Sequence, residues 1–181
     1  MEGSACFSAC RRYRYSLWRR WGPGPAVMVV GLNPSTADAI HNDPTIRRCL
    51  GFARAWGYGA LCMTNLFAYR ALDPARLKRV KDPIGAENDH SLQQLARGAA
   101  LILAAWGNHG GLHGRDLVVR GLLPELHILG LTRMGQPRHP LYLPRGLQPQ
   151  LWPQPLRPVS TSTGLSGARR VPSARGAPRQ A

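Results

Sequence analysis

The chain is short of acid. Nine Asp and Glu stand against 24 Lys and Arg in 181 residues. After Glu125 no acidic residue occurs, while eight arginines follow. A formal net charge of +15 argues against cationic partners and favours anionic ones: nucleic acid first, an anionic membrane surface second. Residues 1–144 hold 18 Lys and Arg and all 9 acids, so the part expected to fold keeps +9. The basic character is therefore not a property of the C-terminal region alone.

Long apolar runs are missing too. None approaches the ~20 residues of a membrane span, so no membrane partner is expected. Arginines occupy the N-terminus where a signal peptide needs an apolar segment, and a reducing cytoplasm is the expected location. Cysteine is scarce: Cys6, Cys10, Cys49 and Cys62, read as free thiols. Together they offer the ligand types of an iron–sulfur cluster or zinc. Their spacing is loose, however, and Cys49 and Cys62 fall inside apolar periodic segments, so no metal and no other cofactor is expected. Paired carboxylates, a zinc-protease motif, a GxSxG elbow and a Gly-rich phosphate loop are also absent.

What the chain does have is a series of short apolar runs that each empty into a polar loop. Ala26 to Val30, rich in valine, reads as a buried parallel strand. Ala60 to Leu66, Leu101 to Ala105 and Leu126 to Leu131 read as three more. Asp43-Pro44 reads as a helix start, with Asp as N-cap and Pro in the first turn. Ile46, Leu50, Ala53 and Trp56 give that helix an apolar stripe, and Gly57-Tyr58-Gly59 ends it. Further helices are expected around Glu87–Arg97 and over 113–123. Alternating strand and helix predict an α/β fold: three layers, α/β/α, around a four-stranded, mainly parallel sheet with right-handed crossovers.

Three regions follow. Residues 1–25 read as a basic aromatic arm, with Arg11, Arg12, Arg14, Arg19 and Arg20 among Tyr13, Tyr15, Trp18 and Trp21. Arginines bind phosphate and aromatic faces stack on bases, so the arm suits nucleic acid. The plainer reading, slightly favoured, is an edge hairpin whose aromatics pack on the core and whose arginines are solvated. Residues 26–144 are the α/β domain. From 145 to 181, Pro, Arg, Ser, Gly and Ala dominate without periodicity, and disorder is expected.

Ligands of open parallel sheets bind at the carboxyl ends of the strands. Those ends carry Gly31-Leu32-Asn33-Pro34-Ser35, then Asn65, then Trp106-Gly107 with Asn108 and His109, then Arg138-His139-Pro140. Asn offers both a donor and an acceptor, His a donor to a developing oxyanion, and Pro34 and Pro140 stiffen their loops. The set suits a planar ligand with several hydrogen-bonding groups, such as a nucleobase. Each residue also has an ordinary reading. Asn33-Pro34-Ser35-Thr36 is a good turn, Asn65 can bond loop backbone, and His139 can be an exposed loop residue. His41, His90, His113 and His127 show no partner pattern.

Two resemblances enter here. The runs Tyr13-Arg14-Tyr15-Ser16-Leu17, Leu32 to Asp38, Asp43-Pro44-Thr45-Ile46-Arg47-Arg48-Cys49, Trp56 to Gly59, Asn65 to Ala71, Glu87-Asn88-Asp89, Ala105-Trp106-Gly107 and Pro137 to Pro144 resemble a bacterial domain-of-unknown-function family, number 1643, over roughly residues 5–144. That family brings no established activity. The order of motifs is also similar, more distantly, to the uracil-DNA glycosylase superfamily. This implies a glycosylase-like fold, with Asn33 at the place of the residue that positions the attacking water. Asn65 matches the residue that reads the base edge. His139 matches the residue that stabilises the departing base. Leu141 stands where that superfamily usually has Ser, and the first loop lacks its supporting aromatic residue.

The leading expectation is a possible DNA N-glycosylase, a DNA-repair hydrolase that flips out and excises a modified or deaminated base. Asn33 and His139 are its catalytic candidates. Gly31, Leu32, Pro34, Ser35, Asn65, Trp106, Gly107 and Pro140 would bind substrate, and Arg11, Arg12, Arg14 and Arg138 would bind the nucleic acid, DNA being favoured. Two alternatives stand beside it: a non-catalytic nucleic-acid or modified-base binding module, and a hydrolase of free nucleosides or nucleotides. The sequence points to no protein partner.

Overall fold

Six residues, Ala26–Gly31, form the central strand β3, and all six are buried. Their side chains part to the two faces of the sheet with the period of two that a strand imposes. Val27 and Val29 enter one core with helix α1 (Pro44–Ala55), through Ile46, Cys49, Leu50, Phe52 and Ala53. Met28 and Val30 enter the other, with Leu92 and Ala96 of α2 (Asn88–Arg97) and Val119 of α3 (Arg115–Leu122). Two apolar faces covered by helices explain why the strand reads as a continuous apolar run rather than an alternating one.

The computed structural model describes residues 1–123 and 125–153. Its sheet has seven strands in the order β1-β2-β4-β3-β5-β6-β7. Besides β3 these are β1 (Glu2–Phe7), β2 (Arg14–Arg20), β4 (Ala60–Asn65), β5 (Leu101–Ala104), β6 (Leu126–Ile128) and β7 (Gln150–Trp152). Strands β4, β3, β5 and β6 pair in parallel. β2 joins β4, β1 joins β2 and β7 joins β6, all antiparallel. The fold is thus α/β as expected, but the sheet is mixed and larger than four strands.

The added strands come from both ends. Residues 1–25, read as an arm, supply β1 and β2, in line with the plainer hairpin reading except that Arg14 and Arg19 are buried rather than solvated. Leu17 is fully buried in the core, and Arg19, 1% exposed, is buried with it. The Arg19 guanidinium is consumed locally: it donates to Asn42 Oδ1 (2.8 Å), Trp18 O (2.8 Å), Asp38 O (2.7 Å) and His41 O (3.2 Å). It thereby pins the loop before α1 to the hairpin. At the other end β7 lies inside the segment expected to be disordered. Trp152 packs its ring 5.7 Å from that of Trp106, which anchors these three residues. Residues 145–149 are described as well, with Leu147 O accepting the Trp56 indole N–H (2.9 Å), whereas residues 154–181 lie outside the described residues.

Helix α1 starts as the sequence indicates. Asp43 Oδ1 accepts the Ile46 N–H at 2.8 Å, and Pro44 opens the first turn. Asp43→Ala removes this cap. The expected cost is about 1 kcal/mol, a fall in Tm of about 2–4 °C read by thermal melting. An unchanged Tm would mean that the cap contributes nothing to α1.

Among the described residues, no helix is long and apolar enough to cross a membrane, and no group of three or more His, Cys, Asp or Glu could hold a metal ion. Cys49 and Cys62 are buried free thiols, pushed up to about 12 by that burial. Cys6 and Cys10 are exposed.

Candidate functional site

Strands β3 and β4 end side by side, with Gly31 opposite Asn65. A side chain at residue 31 is impossible without rearrangement: its Cβ would lie 2.8 Å from Asn65 Nδ2 and 2.8 Å from Met63 Cε. Glycine there lets the Asn65 amide stand at the strand end. Beyond the strands the two loops stay zipped together, Leu66 N to Gly31 O (2.9 Å) and Phe67 N to Leu32 O (2.9 Å). Asn33 continues the zip with its side chain. Its Nδ2 donates to Ala71 O (2.8 Å) and Pro34 O (3.1 Å). Both donors being spent on backbone, Oδ1 is the group left to meet a ligand.

The loop after β5 meets the loop after β6. Trp106, 2% exposed, donates from its indole to Gln136 Oε1 (2.7 Å), and Gln136 donates on to Asp116 Oδ2 (2.7 Å). Gly107 N donates to Pro137 O (2.9 Å). Two residues further on, His139 caps a short 3-10 turn, Pro140–Tyr142, by accepting the Leu141 N–H on Nδ1 (3.3 Å). Arg48 of α1 holds this turn from the other side through the carbonyls of Pro140 and Leu143. An Nδ1 lone pair engaged by an N–H fixes the neutral tautomer, with the proton on Nε2. Burial pushes the His139 pKa below its ordinary value, against a smaller opposing pull from Asp43, so the ring is neutral at pH 7.

These loops enclose a cavity of about 420 Å³, within the range of small-molecule sites. Asn33, Asn65 and His139 all line it, as do Gly31, Leu32, Ser35, Trp106 and Gly107. Pro34 and Pro140 are buried behind it and shape the loops instead. Leu72 and Tyr142 line it yet remain 77% and 80% exposed, so they form its rim.

The arginines divide. Arg11 and Arg12 stay at the surface and line a second groove of about 560 Å³ with Arg70 and Arg76. This groove shares Ser35, Ala71 and Leu72 with the first cavity, so the two are continuous. Its arginines are held from behind. The guanidiniums of Arg11 and Arg70 lie 4.5 and 5.1 Å from the Phe7 ring, and Arg70 also donates to Arg11 O (3.2 Å). No ion pair among the described residues involves any of the four. Arg138 is exposed and lines neither space. Arg14 corrects the sequence reading. It is 2% exposed and lines the first cavity, so it does not lie along an outer phosphate path. Its place in β2 explains this, because Arg14 N is bonded to Ala68 O and draws the side chain in under the loop that follows β4.

Sequence reasoning also passed over Asp43, Tyr142, Arg70 and Arg76 as lining groups. Asp43 carries the clearest signal, which its capping role absorbed.

Fold and site define an α/β protein with a cavity at the carboxyl ends of its parallel strands and a basic groove leading from it. A family model described as "Protein of unknown function (DUF1643)" matches residues 14–141. The chain belongs to that family. No curated protein and no solved structure matches it.

Proposed function

We propose that this protein draws a modified or deaminated base out of DNA into the cavity and hydrolyses its N-glycosidic bond. The observation that carries the reading is the convergence of Asn33, Asn65 and His139 on one cavity from three separate loops. Each offers what the reaction needs. Asn33 Oδ1 accepts a hydrogen from the attacking water. Asn65 presents its amide to the base edge. His139 Nε2–H donates to a base oxygen as negative charge develops there. The continuous groove of Arg11, Arg12, Arg70 and Arg76 takes the flanking phosphates. The motif order shared with uracil-DNA glycosylases supports the same assignment of roles.

The test is strand cleavage by alkali after incubation with labelled DNA containing uracil, hypoxanthine or hydroxymethyluracil, single- and double-stranded. Cleavage is expected, with a loss of about 100-fold or more in Asn33→Ala. Binding is expected to weaken with salt, and replacing one groove arginine to lower the slope by about one. Salt-sensitive binding without cleavage would make the protein a base-binding module. Neither cleavage nor binding would leave free nucleosides or nucleotides as its ligands.

A further inference from the structure

Three arginines are buried among the described residues: Arg14, Arg19 and Arg115. Two are fully accounted for. Arg19 spends its guanidinium on four oxygens of its own loop and strand. Arg115 pairs with the Asp89 carboxylate and donates to Leu66 O (2.9 Å). Arg14 differs from both. It donates to Ala37 O at 2.7 Å and, at a long 3.4 Å, to Asn65 Oδ1. Its Nε is buried without a partner, and like Arg19 it has no carboxylate within ion-pair distance. It is also the one of the three that lines the cavity.

A buried cation with no counter-ion is costly and is ordinarily compensated. The charges around Arg14 do not compensate it. Burial is the largest influence, Asp43 draws it toward the charged form, and Arg70 and Arg19 act against it. Asp43 is beyond ion-pair range and has one oxygen committed to the α1 cap. Burial lowers the Arg14 pKa to about 10, so the guanidinium still carries its charge at neutral pH. The Asn65 amide is locked to it: with Oδ1 turned toward Arg14, Nδ2 is the part of the side chain free for a ligand. Arg14 and Asn65 therefore present donors alone at this end of the cavity.

We infer that Arg14 is a ligand-binding residue that makes the cavity selective for an oxyanion on the buried end of its ligand. A base-borne carboxylate and a nucleotide phosphate share that chemistry. The inference rests on the cavity being the ligand site, and it refines the nucleobase reading by naming the charge the ligand must bring.

The test is calorimetric titration of the full chain at pH 7 with 5-carboxyuracil, with thymine as its uncharged counterpart, and with uridine 5′-monophosphate. At least one anion is expected to bind ten-fold or more tighter than thymine. Arg14→Gln is expected to reduce that anion to the level of thymine. Preference for carboxyuracil assigns the charge to the base, and preference for the nucleotide assigns it to a phosphate. Equal binding of thymine and both anions overturns the inference, as does an anion preference that survives Arg14→Gln. Should that variant fail to fold, Arg14→Met is read in its place, because an apolar side chain of similar length removes the charge without leaving a buried polar end. If none of the three ligands binds, the nucleobase reading fails by itself, and inorganic phosphate decides the role of Arg14. A phosphate-dependent rise in Tm that is lost in Arg14→Gln and kept in the surface control Arg97→Gln supports it. No rise, or a rise that Arg14→Gln retains, overturns it.

Discussion

His139→Ala is expected to lower base excision by about 100- to 1,000-fold while leaving DNA binding within a few-fold of wild type. The size follows from where the donor acts. A hydrogen bond to an oxygen that gains charge only as the glycosidic bond breaks is worth more in the transition state than in the bound complex, so kcat falls rather than affinity. The pH profile separates this role from its alternative. Burial depresses the His139 pKa, and Nδ1 is occupied by the Leu141 N–H, so the working form is the neutral ring with its proton on Nε2. Activity is therefore expected to hold level from pH 7 to 8. An imidazolium donor would instead lose activity as pH rises through its lowered pKa, below the ordinary value near 6.5. The same shift has a sign for stability. The unfolded chain takes up this proton at a higher pH than the folded one. Stability from His139 is thus fully present above the ordinary pKa and is lost as pH falls toward the folded value. Stopped-time excision assays across that range check the first point. A wild-type rate that declines steadily between pH 6 and 8 would sink the neutral-donor role.

The parts of this molecule legible in its sequence are those set by local chemistry. Ala26–Gly31, Ala60–Asn65 and Leu101–Ala104 read as strands because both faces of the sheet are covered, which removes polar alternation. Asp43-Pro44 reads as a helix start because the capping bond spans three residues. Asn33, Asn65 and His139 were found by one topological rule, that parallel strands deliver their loops to the same edge. The hidden parts depend on long-range contacts. Arg14 and Arg19 look like surface charge until their guanidiniums find carbonyls about twenty residues away, at Ala37 and Asp38. Strand β7 is three residues long in a Pro-rich region and owes its place to Trp106, 46 positions earlier. Strand β6 is shorter than its apolar run because the chain turns out of the sheet at Gly130, where φ is +125°. The groove arginines Arg70 and Arg76 join Arg11 and Arg12 only because the hairpin folds back along the loop after β4, through Arg70 N to Arg12 O (2.9 Å).

Trp106→Ala is expected to be the most destabilising change in the molecule, at about 3–5 kcal/mol. That is a large share of the 5–15 kcal/mol by which domains of this size are ordinarily stable. The indole is 2% exposed, packs with Trp152 across the end of the sheet, and fills the space beside Gly110, where no Cβ could fit. Its loss leaves a void that runs into the cavity it lines. It also strands Gln136, whose carbonyl accepts the indole proton and whose amide is held by Asp116. Gln136 begins the loop that carries His139, so packing and chemistry are joined at this residue. Trp106→Phe separates them. It keeps a six-membered ring in the core and removes the donor together with the five-membered ring, and the acceptor left without its partner alone is expected to cost about 1–3 kcal/mol. Urea unfolding of both variants gives the two costs. Excision or ligand binding by Trp106→Phe then gives the effect on the site, expected to be a loss of about ten-fold or more although the altered atom makes no bond to His139. A Phe variant with full activity and wild-type stability would show that the indole–Gln136–Asp116 chain does not position the histidine loop. Other ties, among them Gly107 N to Pro137 O, Arg138 N to Gly130 O and the Arg48 guanidinium to the carbonyls of Pro140 and Leu143, would then suffice to hold it.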